Sequence, residues 1–204
     1  MYQGCDRYMD CYRSNWIVIG AITAGLFGTP VPPVTNSYES IQTVTVGSGG
    51  ANSISFTSIP STYKHLQIRA FLAANNGYIT DTNWTINGDT TSGNYYGFHQ
   101  LTGDGSSASA QAYNGSGRLN PMPVGNDGFA FTAAVVDILD YTSTTKNKVF
   151  RSLVGFDNNG TGAIRLRSSL YFPSTITAIS SITIAQGVGD FKQYSSFALY
   201  GIKG

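Results

Sequence analysis

The sequence predicts an all-β protein, an antiparallel jelly-roll-like β-sandwich preceded by an extended N-terminal segment. Three observations carry this. Apolar and polar residues alternate with period two over most of residues 35–204. Asn-Gly and Asp-Gly dipeptides, which tolerate the positive φ of tight turns, punctuate the alternation at Asn76-Gly77, Asn87-Gly88, Asn114-Gly115, Asp127-Gly128 and Asn159-Gly160. No stretch of the body carries the 3.6-residue periodicity of an amphipathic helix.

The elements follow in chain order. Residues 1–34 form an N-terminal anchor segment. Its polar head, Met1 to Asn15, holds both cysteines, Cys5 and Cys11, either as free thiols or as a small disulfide loop. Next comes an apolar strip whose anchoring side chains are Trp16, Ile17, Val18, Ile19, Ile22, Leu26 and Phe27. It is shorter than the roughly twenty residues of a membrane-spanning helix, so no membrane is involved and a protein partner is expected to cover it, the alternative being that it folds back as an extra strand or a short helix on its own sandwich. Pro30, Pro32 and Pro33 make an extended hinge, because proline fixes φ and lacks a donor.

The body, residues 35–204, contains ten expected strands. They run over Ser40 to Val46, Ser53 to Ser58, Lys64 to Ala73, Asn83 to Asn87, Tyr95 to Thr102, Phe129 to Tyr141, Lys148 to Phe156, Ala163 to Phe172, Ser181 to Ala185 and Ser196 to Ile202. In the third strand Leu66, Ile68, Ala70 and Leu72 share the core face and Phe71 the other. In the eighth, Ile164, Leu166 and Leu170 are expected inward, and Arg165, Arg167 and Tyr171 outward. Gly103 to Asn126, rich in Gly, Ser and Ala, reads as an exposed connection, either a contact surface or a crossover. This strand count favours a jelly roll over a seven-stranded sandwich.

Composition narrows the function. Only 11% of the 204 residues are charged and the net charge is +1, so neither nucleic acid nor an anionic membrane is indicated. Gly (24) and Tyr (13) are abundant, which suits a protein packed among copies of itself or other neutral surfaces.

No catalytic set is legible. His65 and His99 fall on separate strands without a metal-ligand spacing. Asp137 and Asp140 are three residues apart on one expected strand and so point to opposite faces. No serine sits in a nucleophile elbow, and the glycine runs open no helix that would cradle phosphate. The reading is of a non-enzymatic protein with no metal and no cofactor. Arg69, Arg151, Arg165 and Arg167 form an outward stripe, either a solvated face or a subunit contact. Trp84, Tyr95 and Tyr96 are candidates for stacking on a host surface glycan, against the alternative that they pack in the core or an interface.

Four segments carry a family resemblance: Ile22-Thr23-Ala24-Gly25-Leu26-Phe27 before the proline hinge, Tyr38 through Gly50, Ser58 through Arg69, and the closing Phe197 through Lys203. On these the chain resembles small structural proteins of tailed-phage virions. The resemblance implies a location in the virion and a role as a fibre or attachment component, with capsid decoration as the alternative and a glycan-binding or depolymerase module as the third reading. It implies partners among the portal, neck, tail or major capsid proteins, and a homo-oligomer, a trimer first. Outward Phe71 and Tyr171 would suit the subunit contact.

Overall fold

The computed structural model describes residues 37–76, 79–114, 118–124, 131–157 and 162–204. Cys5, Cys11, the strip from Trp16 to Phe27 and the proline hinge lie outside the described residues. So, wholly or in part, do all the predicted turn dipeptides except Asn87-Gly88.

The described chain is an antiparallel, jelly-roll-like β-sandwich of twelve strands. They are β1 (Tyr38–Thr45), β2 (Ser53–Phe56), β3 (His65–Leu72), β4 (Thr80–Ile86), β5 (Tyr95–Gly103), β6 (Ala108–Tyr113), β7 (Pro123–Val124), β8 (Thr132–Ile138), β9 (Lys148–Asp157), β10 (Gly162–Tyr171), β11 (Ile182–Gln186) and β12 (Ser196–Ile202). Eight form one sheet in the order β1-β12-β3-β8-β9-β10-β5-β6, and four form the other, β2-β11-β4-β7. Among the described residues the one helical element is a single 3-10 turn, Ser92–Asn94.

Each expected strand is present, with ends shifted by a few residues. The stretch 103–126 is a correction. It contains β6, which pairs with β5 as a hairpin, and β7, which pairs with β4. Leu119, Met122 and Val124 within it are fully buried. Ala, Ser and Gln in β6 have little strand preference of their own, so the hairpin is set by its turn. Asp104 Oδ1 accepts from the backbone N–H of Ser106 (2.9 Å) and of Ser107 (2.7 Å), and Gly105 takes φ 89°.

The core lies between the sheets. Phe56, Trp84, Ile86, Ile182 and Ile184 of the small sheet meet Leu66, Ile68, Val136, Phe150, Val154 and Phe197 of the large one. Burying each such side chain contributes about 1.5 to 3 kcal/mol before the cost of ordering it. Trp84 meets Phe150 edge-on, ring centroids 6.1 Å apart.

Asn87-Gly88 makes a tight turn with both φ values positive, 52° and 72°. It does not close a hairpin: it carries the chain from β4 in the small sheet toward β5 in the large one. The Asn87 carboxamide is itself a tether. Its oxygen accepts from the N–H of Ser180 (2.8 Å) and Ser181 (3.1 Å), and its nitrogen donates to the Ala178 carbonyl (2.8 Å).

Candidate functional site: the outer face of the eight-stranded sheet

In an antiparallel sandwich the inner faces bury the apolar side chains and the outer faces ordinarily carry polar ones. The four-stranded sheet follows this rule. Its outward row Ser55–Thr183–Thr85 is all hydroxyl, with Ser55 and Thr183 hydrogen-bonded at 2.9 Å, and the neighbouring row is Ser53–Ala185–Asn83.

The eight-stranded sheet breaks the rule. Its register aligns Arg69 (β3), Val135 (β8), Leu153 (β9), Leu166 (β10), Leu101 (β5) and Ala110 (β6) in one outward row. One row along, Phe71, Ala133, Gly155 and Ile164 stand side by side, with Phe131 stacked on Phe71 at 6.3 Å. Phe71, Leu101, Leu153 and Ile164 are 55–63% exposed. Two shallow depressions, of about 600 and 640 Å³, lie on this face, the first bordered by Leu153 and the second by Leu166.

A polar row crosses the same face: Gln67, Asp137, Arg151, Ser168 and His99. The Asp137 carboxylate accepts from Gln67 Nε2 (2.8 Å) and pairs with Arg151 (2.8 Å). Burial works against its charge, but these two donors win and hold the carboxyl below its usual range. Gln67 in turn accepts from Arg69 Nε at 2.8 Å, and the Arg69 guanidinium lies over the rings of Tyr38 and Tyr200. Beyond this row the face is apolar again, with Leu139 in the β8–β9 turn beside Val149 of β9 and Tyr96 stacked on His99 at 4.9 Å.

β10 has the opposite facing from the one expected. Ile164 and Leu166 point to solvent, while Arg167, Ser169 and Tyr171 are buried, so Tyr171 is no subunit contact. The reason is a counterion on the facing sheet. Arg167 NH1 pairs with Asp81 (2.6 Å) and donates to the Asn120 carbonyl (2.7 Å), its Nε donates to Gln100 (2.5 Å), and its plane lies 3.9 Å from the Phe98 ring centroid. Burial lowers the guanidinium's pKa and Asp81 opposes that shift. Arg165, also inward, is half-buried over Phe156. The expected four-arginine stripe is therefore two outward residues, Arg69 and Arg151.

Trp84 and Tyr95 lie in the core. Trp84 Nε1 donates to Thr82 Oγ1 (2.9 Å), and Tyr95 stacks on Tyr171 at 4.9 Å and donates to the Asp89 carbonyl (2.7 Å). Burial pushes the Tyr95 phenol up to about 12. Of the three proposed glycan contacts, Tyr96 alone reaches the surface. Asp140, at φ 46° in the β8–β9 turn, pairs with Lys64 (3.0 Å) and Lys146 (2.9 Å), and its N–H donates to His65 Nδ1 (3.0 Å). Asp137 and Asp140 thus have separate partners. Among the described residues no cluster of three or more His, Cys, Asp or Glu is placed to hold a metal, and no helix is long and apolar enough to cross a membrane.

The outward apolar residues of β5, β8, β9 and β10 were missed because apolar residues were assigned inward by default. The signal was present in β9, where Val149, Leu153 and Gly155 alternate with Phe150, Val154 and Phe156: both faces are apolar, the pattern of a strand covered on two sides. Fold and face together define a β-sandwich with one polar and one apolar outer surface. No protein-family model matches the chain and no curated protein matches it.

Proposed function

We propose that the protein is a non-enzymatic structural component of a tailed-phage particle, held through its N-terminal segment and presenting the sandwich as a fibre or attachment module. The observation that supports an assembly role is the apolar outer face of the eight-stranded sheet. Leu101, Leu153 and Ile164 stand in solvent on one contiguous surface of a chain with only 11% charged residues. A surface of that kind is a binding surface, since monomers keep large contiguous apolar patches rare. The virion context comes from the sequence resemblance, and so do the virion proteins as partners and the homo-oligomeric state.

Quantitative mass spectrometry of purified particles tests the reading. Copies in the range of a tail or neck appendage, a few dozen or fewer, are expected. Hundreds of copies would move the protein to the decoration role on the capsid, and absence from particles would overturn the assignment.

A further inference from the structure

We propose that a second copy of this chain covers the apolar outer face, two sandwiches packing eight-stranded sheet to eight-stranded sheet about a two-fold axis. The inference deepens the assembly reading by naming the copy-to-copy contact.

Area gives the first argument. The eight large apolar side chains outward on β3, β8, β9, β10 and β5 and in the β8–β9 turn are 37–63% exposed. Together they expose several hundred Å², the order of the largest apolar patches that a monomer ordinarily leaves bare and approaching the roughly 800 Å² per partner of a stable protein–protein interface.

Shape gives the second. Two sheets pack face to face because both twist with the same hand, and a copy of the same sheet meets that condition. Charge gives the third. The polar row contains one ion pair, Asp137 with Arg151, whose charges cancel within the copy. The other outward arginine, Arg69, stands at the β3 end of the Leu153 row against Tyr38 and Tyr200.

The register locates the axis. The apolar rows run from β3 to β6, and their centre lies between β9 and β10. A two-fold along the strands at that line lays each row on its own counterpart. Leu153 of one copy then meets Leu166 of the other, and Asp137 comes over the strand that carries His99. A self-matching face closes at two copies, so the pairing is a dimer, and the trimer implied by the resemblance would need a different, head-to-tail contact.

The test uses the full chain. Sedimentation equilibrium at micromolar concentration is expected to give a dimer. Leu153→Asp and Ile164→Asp, both at solvent-facing positions, should each weaken it at least about thirty-fold, as loss of a central apolar contact does. Thr183→Asp, on the other outer face, should leave it unchanged. A photo-crosslinker at position 153 in a mixture of ¹⁴N- and ¹⁵N-labelled protein should give mixed-isotope links to β9 and β10. The pairing is overturned by a monomer, by a trimer, by a dimer insensitive to both aspartates, or by same-chain links from position 153 to residues 1–36. A wild-type monomer would leave the virion assignment to stand or fall on particle copy number.

Discussion

The two outer faces of the sandwich share one construction and opposite chemistry. On the four-stranded sheet the outward row Ser55–Thr183–Thr85 presents hydroxyls, those of Ser55 and Thr183 hydrogen-bonded to each other. On the eight-stranded sheet the corresponding positions are leucine, isoleucine, valine and phenylalanine. Strand alternation alone cannot produce this difference, since it governs both sheets equally. What differs is what each face meets: the small sheet's chemistry suits solvent, and the large sheet's suits a second dry layer.

The inner face sets the scale, and its removal should produce the largest effect. Trp84→Ala empties a fully buried site between the sheets, and a loss of about 3 to 5 kcal/mol in urea unfolding is expected. If the loss were no larger than that of Leu153→Ser measured on the dissociated protein, the assignment of inner and outer faces would be wrong.

Arg167 sharpens the comparison from within one strand, because its neighbour Leu166 faces the other way. Arg167→Leu leaves Asp81 and Gln100 without their donor, and a loss of about 3 kcal/mol is expected, the low end for a broken buried pair because Asp81 keeps some solvent. Lysine should not restore it, since one ammonium cannot reach Asp81, Asn120 and Gln100 together. Full rescue by Arg167→Lys would show that charge alone, and no fork of hydrogen bonds, holds the cluster.

On the small sheet's outer face, Thr183→Ala removes one exposed hydroxyl pair and should cost under about 1 kcal/mol without altering oligomeric state. A change in sedimentation would mean that both faces are contacts.

The smallest effect is a dependence on pH at the sheet margin. Lys146 and Lys64 hold the Asp140 carboxyl down at about 2. Its folded value lies below its unfolded value of about 3.9, so its contribution is complete above that value and is lost as pH falls through about 2. Acid unfolding of Asp140→Asn should lack that component. An acid limb identical to wild type would show that these exposed pairs add nothing measurable.

Strand positions were legible because Val, Ile, Thr and aromatic residues alternate with polar ones, and the facing of β3 followed directly, with Leu66 and Ile68 buried and Phe71 outward. β6 was not legible, because its Ala, Ser and Gln carry no strand signal and its pairing is fixed by Asp104 and Gly105 in the turn. Nor was the facing of β10. Arg167 is inside because Asp81, remote in sequence, supplies a counterion, and period two gives two equivalent settings unless the facing sheet is known. The candidate site was hidden for the same reason: an outward leucine and an inward one look alike until the sheet order is known.

The Asn87 tether has a consequence for chemical ageing. An asparagine followed by glycine is prone to deamidate when the next backbone nitrogen attacks a freely rotating carboxamide. Here the carboxamide is held at both ends by Ala178, Ser180 and Ser181. An aspartate at this position could not donate to the Ala178 carbonyl, and its charge would have to be carried by the same two N–H groups. Peptide mapping after prolonged mild-alkaline storage should therefore find Asn87 intact in folded protein and converted in urea, which makes this turn a slow clock for how often the sandwich opens.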